Sequence, residues 1–389
     1  MELILSGIFW LIIILLIHTY IIYPVILGFI SFLKGKPIPD VTSPSLPSVS
    51  ILISAYNEEK VIEERIENIK NQNYDFSKVE LIIGSDCSSD KTEEILSSKS
   101  IEHIWIKVSN YKNRRGKAAV LNDLADLSKN EILVFTDANT RFEQDALLKL
   151  VSQFSCEKTG GVCGKLILEE PKDDYDTTNR ERLYWKYETK LKELEGRLGL
   201  LISANGGIYA IRKKLFQKFP DKYAVTDDLY QTLAVLNQNF DFIYKVQAVA
   251  HEDISKEIIS EFRRKVRFAA TNYQTILFFK SLLFNRRIFL SFALWSHKIL
   301  RWLVPAMAIL LFITSLLLVN SGRVYFIVFI IQACFYLAAM IGFLFHKMKL
   351  NGSVFSIIYY YTLTNLALLV GMFKFFAGKH TYTWDSTPR

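Results

Sequence analysis

Four stretches of the chain carry no Asp, Glu, Lys or Arg: residues 3–33, 303–322, 324–345 and 350–373. About 20 apolar residues suffice for a helix to cross a bilayer core. In lipid the backbone must satisfy its own hydrogen bonds, which makes such runs helical. Each stretch therefore predicts a membrane helix, since a soluble core does not need uncharged runs this long. The first is expected to be a retained membrane helix and not a secretory signal, because Glu2 stands where a basic region belongs and the apolar run is too long. Pro24 is expected to kink or end its straight part.

Between the first and second stretches the pattern changes. A Pro/Ser-rich segment, KGKPIPDVTSPSLP (34–47), reads as a linker. After it come apolar, β-branched runs of strand length at 48–55, 79–85, 102–108 and 131–137. Helical spacing separates them at 58–72, 91–98 and 117–128. Strand–helix alternation predicts right-handed βαβ crossovers and a mainly parallel sheet. Ligands of such sheets sit at the carboxyl ends of the strands. The polar motifs YNEE, SDCSSD and TDANT all fall there. Further on, Leu183, Tyr187, Leu191, Leu194 and Leu198 form one stripe of a helix over 179–198. Apolar residues at 258, 262, 266, 269, 273 and 276 form another, beside a crowded Arg263, Arg264, Lys265 and Arg267. A basic amphipathic helix of that kind suits a membrane interface. The expected organisation is a membrane helix at 1–33, the linker, a cytosolic α/β domain at 48–256, interface helices at 257–302, membrane helices at 303–376 and a tail at 377–389.

Charge fixes an orientation. Lys34 and Lys36 follow the first helix, Arg323 alone occupies the turn between the next two, and His346, Lys347 and Lys349 follow the third. Lys and Arg collect on the cytosolic side. The segment 34–302 is thus expected in the cytosol and the N-terminus outside. Strict alternation would put the residues after 373 outside as well, although they include Lys379, His380 and Arg389.

Half of the 389 residues are hydrophobic and 22% are charged, which excludes a disordered chain, a collagen and a small disulfide scaffold. The formal net charge of +8 fits an anionic membrane surface and a phosphate-bearing substrate. Basic residues are not gathered in a tail or repeat, so nucleic acid is not an expected partner. Cys87, Cys156, Cys163 and Cys334 form no C-x-x-C pair and no zinc spacing, as befits a reduced, cytosolic domain.

Three acidic motifs carry chemistry. Asp137 and Asn139 in FTDANT could present two oxygens to Mg²⁺ or Mn²⁺, or simply cap a strand-end turn. In GSDCSSDKT, Asp90 reads as a helix cap and Asp86 as the better ligand candidate. In TDD, Asp227 and Asp228 either stabilise a helix start through its dipole or supply a general base. Arg264 and Arg267 either face lipid or clamp a diphosphate, which the planar guanidinium suits.

Taken in order, YNEE, SDxSxD, GKAAVLN, FTDANT, SANGGIYAIR, TDDL and RRKVRF resemble the membrane-bound family 2 glycosyltransferases, among them synthases of hyaluronan, cellulose, chitin and poly-N-acetylglucosamine. The resemblance covers roughly residues 47–285. It implies a GT-A-like cytosolic domain plus transmembrane helices and an interface helix. It implies that Tyr56 and Glu58 contact the nucleoside, that Asp86 binds uracil, and that Lys117 lies near the base or diphosphate. Asp137 and Asn139 match the family's metal-holding D-x-D, and Asp228 the last residue of T-E-D, the general base. Asn205, Gly206 and Gly207 match a loop near sugar and acceptor, and YWKYE (184–188) a helix on the acceptor side. The chain departs in Asn139 for the second carboxylate, in T-D-D for T-E-D, and at Q-x-x-R-W, where Arg267 matches the Arg but Arg264 stands for Gln and Phe268 for Trp. Phe268 can stack on a sugar but lacks the indole N–H, which weakens the case for long-chain processivity.

The expected reaction is inverting transfer of a sugar from a nucleotide sugar, UDP-linked first of all, to a hydroxyl of a growing polysaccharide, coupled to export. The alternative is a single addition to a lipid-linked acceptor. A homo-oligomer or export partner and membrane lipid complete the expected partners. A transporter with a nucleotide-sensing domain is disfavoured, since ionisable residues that mark a transport path are nearly missing from the uncharged runs.

Overall fold

The computed structural model describes residues 1–36, 38, 46–169, 175–253, 258–348, 350 and 353–378, with backbone alone at 175–184, 258 and 353. Most of the 34–47 linker and of the 377–389 tail lies outside the described residues.

Eight strands form one sheet: β1 (Val49–Ala55), β2 (Val79–Ser85), β3 (Ile106–Asn110), β4 (Ile132–Phe135), β5 (Arg141–Phe142), β6 (Thr159–Glu169), β7 (Tyr209–Arg212) and β8 (Asp241–Asp253), in the order β3-β2-β1-β4-β7-β6-β8-β5. The sheet is mixed. β1, β2, β3 and β4 run parallel, β7 runs antiparallel to both β4 and β6, and β6 pairs β8 in parallel. β1, β2 and β4 are buried along their whole length, so they read as continuous apolar runs, as strands covered on both faces do. The chain leaves β1 toward β2 and β3, then returns to the other side of β1 as β4. That reversal is a topological switch point, where a crevice opens beyond the strand ends.

Helices α3 (Ile62–Lys70), α4 (Thr92–Glu102) and α5 (Lys117–Leu127) connect the parallel strands, and α6 (Ala146–Val151) precedes β6. Two long inserts follow the same sheet: α7 (Tyr175–Arg197) and α8 (Asp227–Asn237). α1 (Glu2–Ile17) and α2 (Tyr23–Lys34) are joined by a π turn at His18–Ile22, so the helix continues past Pro24 to Lys34. Pro24 has no N–H to give the carbonyl of Tyr20, and the Tyr187 hydroxyl donates to that oxygen at 3.5 Å.

Beyond β8 come α9 (Ile258–Phe278), α10 (Ile288–Ala293), α11 (Leu300–Leu317), α12 (Arg323–Lys347) and α13 (Ser353–Phe376). Among the described residues, four helices are long and apolar enough to cross a membrane: Glu2–Lys34, Ile288–Leu317, Arg323–Lys347 and Val354–Phe376. The second starts at Ile288, well before the uncharged run at 303, because α10 and α11 are fused by a π turn at Leu294–Ile299. The expected boundary between interface helices and membrane helices at 302/303 is therefore not a break in the helix. Phe9 and Ile12 of α1 pack with Val304, Met307 and Leu311 of α11 in a closed apolar cluster.

Candidate active site at the strand ends

Antiparallel pairing decides what meets what. Phe135 at the end of β4 is registered with Tyr209 at the start of β7, and their rings stack at 4.7 Å. The loop that precedes β7, Asn205–Gly207, is thereby brought beside the loop that follows β4, Thr136–Asn139. The Thr136 hydroxyl donates to the Gly207 carbonyl at 2.8 Å. Gly207 is a glycine because a Cβ there would lie 2.9 Å from the Thr140 hydroxyl. Gly206 is different. A Cβ on it would meet Asp137 Oδ2 and Asp228 Oδ2, each at 3.8 Å. Two carboxylates from distant parts of the sequence thus face one small space floored by a glycine.

Lys117, at the start of α5, closes the acidic side. Its ammonium is 2.7 Å from Asp137 Oδ1 and 2.7 Å from Asp227 Oδ2. Burial opposes its charge, but the two carboxylates hold it well above the ordinary lysine value. Asp228 opens α8 and accepts the Leu229 N–H at 2.6 Å. Burial and then the neighbouring Asp227 charge push it up to about 6, against the opposing pull of Lys192 and Lys117. A carboxylate at that value is ionised near neutral pH yet basic enough to take a proton.

The remaining candidates fall on other sides of the pocket. Tyr56 follows β1 and stacks under the Arg114 guanidinium, 3.4 Å from the ring centre. Glu58 heads the turn into α3, its N–H bonded to the Thr92 hydroxyl at 2.9 Å. Asp86 is fully buried, and its oxygens accept the backbone N–H groups of Arg115 (2.7 Å) and Gly116 (2.8 Å). The Asp86 carboxylate, expected to meet a uracil, holds here the loop that delivers Lys117. Asn205 is likewise engaged: Nδ2 donates to the Gly164 carbonyl at 2.8 Å, and Oδ1 accepts from Lys192 at 2.5 Å. Arg264 is paired with Glu261 at 2.8 Å. Arg267 stands 5.3 Å from the ring of Phe268, and Phe268 is 40% exposed. One turn further along α9, Thr271, Asn272 and Thr275 bond Thr226 at 2.7, 2.8 and 3.0 Å. The residue just ahead of Asp227 and Asp228 is thus held by the basic amphipathic helix.

Lys192, Tyr209 and Arg114 were not visible as site residues in the sequence. Lys192 is 6% exposed on α7. Tyr209 is fully buried, and among the described residues its hydroxyl has no hydrogen-bond partner, although the charges of Asp227, Asp228 and Asp137 all act on it. The leucine stripe of α7 packs into the core at Leu191 and gives no sign of the buried Lys192 beside it, Tyr209 lies inside SANGGIYAIR without standing out from its neighbours, and no motif marks Arg114.

The donor set can be tested for a divalent ion. Asp137 turns one oxygen to Lys117 and the other to the space above Gly206. Asn139, two residues on, has a buried amide nitrogen without a partner among the described residues, and an amide can offer its oxygen from the same place. Among the described residues no group of three His, Cys, Asp or Glu suits a metal. Mg²⁺ and Mn²⁺ commonly take one or two protein oxygens and complete their shell with water and substrate phosphates. The residues present fit an ion of that kind, shared with a phosphate ligand.

Residues 50–219 match the family model described as Glycosyl transferase family 2. The chain is 27% identical over 248 residues to the beta-monoglucosyldiacylglycerol synthase of Trichormus variabilis, covering 63% of this chain and 53% of that protein. It is 32% identical over 127 residues to the poly-beta-1,6-N-acetyl-D-glucosamine synthase of Staphylococcus aureus, covering 32% and 30%. The chain thus spans about half the length of the first of these relatives and less of the second. Among solved structures, the mannosyltransferase PcManGT from Pyrobaculum calidifontis, in complex with GDP-Man and Mn²⁺, shares the fold with a TM-score of 0.71 at 20% identity, covering 96% of this chain and 100% of that one.

Proposed function

The chain carries a family 2 glycosyltransferase domain of GT-A-like fold, and from that premise we propose that it moves a sugar from a nucleotide sugar, UDP-linked first of all, to a hydroxyl held at the membrane surface, with inversion at the anomeric carbon. The carrying observation is that Asp137 and Asp228 face one space above Gly206, while Thr226 beside them is bonded to α9. The first carboxylate belongs to a donor-phosphate side, the second to an acceptor side, and the whole pocket rests on a membrane-facing helix.

In this reading Asp228 takes the proton from the acceptor hydroxyl as that oxygen attacks the anomeric carbon from the face opposite the leaving group. The C–O bond to the diphosphate breaks and the nucleoside diphosphate departs with the electron pair. Lys117 holds Asp137 and Asp227 in register. Tyr56 and Glu58 border the nucleoside, with Asp86 fixing the loop beside it, and Arg267 contributes charge on the diphosphate side. Asp137 and Asn139 would hold Mg²⁺ or Mn²⁺, which when bound neutralises charge on the leaving diphosphate. The domain faces the cytosol, on the side marked by Lys34, Lys36 and Lys347.

A lipid-linked acceptor taking one sugar fits best. Phe268 stands where processive relatives carry Trp, α1 and α11 are packed together through apolar side chains, and one relative is named as a glycolipid synthase. The likeness to a poly-N-acetylglucosamine synthase favours chain elongation, with or without export, as the second reading. The test uses purified full-length protein in detergent with a membrane lipid extract. UDP- and GDP-sugars are scored for nucleotide release with and without a chelator, and products are extracted into organic solvent. One lipid-extractable product is expected, lost on chelation and restored by Mn²⁺ or Mg²⁺. A ladder of water-soluble products would select the second reading. Release no greater than from the Asp228→Asn protein with every donor would overturn both.

A further inference from the structure

The landmarks on the membrane helices sort into two faces. On the far face, Ser6 of α1 bonds Tyr325 of α12 at 2.7 Å, Phe9 packs on the same ring at 4.8 Å, and Leu318, at the end of α11, joins their cluster. On the near face lie the start of α11 with Trp302, the end of α12 with His346 and Lys347, and α9 with its four cations. α11 and α12 each connect the two faces. α13 does not. Its first turns pack on the last turns of α12: Phe355 on Phe345 at 5.7 Å and Tyr359 on His346 at 5.8 Å, with the Phe355 carbonyl against Gly342. Its last turns pack on α9: Gly371 against Val266, Ala269 and Ala270, and Phe375 on Tyr273 at 5.5 Å. Tyr273 in turn meets Trp302 at 5.4 Å. Both ends of α13 therefore touch the near face.

The middle of α13 engages α9 as well, while Tyr361 meets Phe335 of α12 at 6.1 Å. Lys265 of α9 donates to Tyr360 at 2.9 Å and to Thr364 at 3.1 Å, with Glu261 at 3.5 Å from the same ammonium. If α13 crossed the bilayer, Thr364 would sit near its centre and would draw that ion pair in with it. A lysine at that depth costs about 3 kcal/mol even by the mildest scale. The sequence YYYTLTN at 359–365 suits the interface, where tyrosines collect, and this is the least apolar of the four candidate spans.

We infer that α13 is an interface helix. It lies along the lipid surface on the catalytic-domain side, and it presents Val354, Ile357, Tyr361, Leu366, Phe373 and Phe376, all exposed, to the boundary between headgroups and acyl chains. The chain then crosses the membrane three times, and the residues after α13 stay on the side of the catalytic domain. Lys374 then stands among anionic headgroups, and the cations that follow it in sequence no longer break the charge rule. This reading is independent of the reaction assigned above.

The test is labelling of full-length protein in intact and permeabilised cells with a membrane-impermeant maleimide. Ser386→Cys reports the side of the C-terminal residues, Ser321→Cys that of the α11–α12 turn, and the exposed native Cys156 that of the catalytic domain. Ser386→Cys should react under the same condition as Cys156, and Ser321→Cys under the opposite one. Ser386→Cys reacting together with Ser321→Cys would overturn the inference. Depth is read from nitroxides at Ile357, Leu366 and Phe373, with Cys87, Cys156 and Cys334 replaced, by collision with oxygen and with a water-soluble nickel chelate. Similar shallow depths are expected. A Leu366 label much deeper than the other two would overturn the interface placement even if the side were right.

Discussion

Asp228→Asn tests the pocket through stability as well as through turnover. The carboxyl of Asp228 lies up at about 6, from an ordinary 3.8, because it is buried beside Asp227. At about 1.4 kcal/mol per pKa unit, the folded protein prefers the protonated form by roughly 3 kcal/mol, an upper bound for a partly accessible group. The sign follows from linkage. A raised carboxyl contributes stability that is fully present below the unfolded value near 4. It is lost as pH climbs toward 6, and the loss is complete above 6. Asparagine keeps the shape of the protonated acid and never ionises. The variant should therefore be more stable than the parent at pH 8, by up to roughly 3 kcal/mol, and by only about half as much at pH 5.

The assay is thermal unfolding of both proteins in one detergent at pH 5 and pH 8, together with nucleotide release at pH 7.5. Loss of a general base removes about 10²- to 10⁴-fold in rate, and nucleotide diphosphate binding should survive. In the parent, turnover should fall as pH drops through about 6. An advantage for the variant that is equal at both pH values, or larger at pH 5, would refute the buried-charge reasoning. Undiminished turnover would refute the base assignment.

Gly206→Ala adds a methyl whose nearest neighbours are the two carboxylate oxygens at 3.8 Å, so folding should be unaffected while transfer falls at least about tenfold through lost positioning; unchanged transfer would mean that the space between Asp137 and Asp228 is not used. Lys192→Met leaves Asn205 Oδ1 without its buried donor, a cost of about 1–3 kcal/mol, and removes a charge that holds Asp228 down. The acid limb of the pH–rate profile should move to higher pH, with partial rescue by Lys192→Arg, and an unmoved limb would contradict this. Glu188→Gln strips the carboxylate from His297 (3.2 Å), Arg301 (2.7 Å) and Lys298 (3.7 Å). Breaking one partner of a buried pair costs about 3–5 kcal/mol, which thermal unfolding would report as a clear fall in Tm.

The strand–helix alternation of residues 48–137 was legible because each parallel strand is a short apolar run with polar residues at its end. The third strand was read over 102–108 but runs from Ile106 to Asn110. Ile101 and Ile104 look like strand residues and are almost wholly exposed, one in the last turn of α4 and one in the connection after it. β5, β6, β7 and β8 escaped notice because their pairing is long-range, and glycines stand where aromatic rings of β8 press close, as Gly161 does against Phe242. Asp137, Gly206 and Asp228 could be picked from motifs at element ends. The start of the second membrane helix could not, since Lys298 and Arg301 interrupt the apolar pattern. They are tolerated in a helix because Glu188, far away in sequence, neutralises them.

Glu188, Lys192 and Glu195 recur at helical spacing on α7, a pattern that ordinarily faces water, yet all three are buried. Toward the sheet, Lys192 fixes Asn205 and so the glycine between the two carboxylates. Toward the membrane helices, Glu195 accepts from Tyr23 of α2 at 2.8 Å and meets His297 at 2.5 Å. His297 lies in one π turn, and its neighbour Ser296 bonds His18 in the other at 2.9 Å. π turns tilt side chains out of the regular helical register and often mark functional positions. Here they aim two histidines at the seam between the two helices and at α7. One side of the pocket is thereby tied to α2 and α11 through α7, and the other to α9 through Thr226. Buried, mutually satisfied charges are costly to separate, so neither tie can slip without loss of folding energy. The fold itself thus fixes Asp228 relative to α2, α9 and α11, as the proposed role of a base acting on a lipid-borne hydroxyl requires.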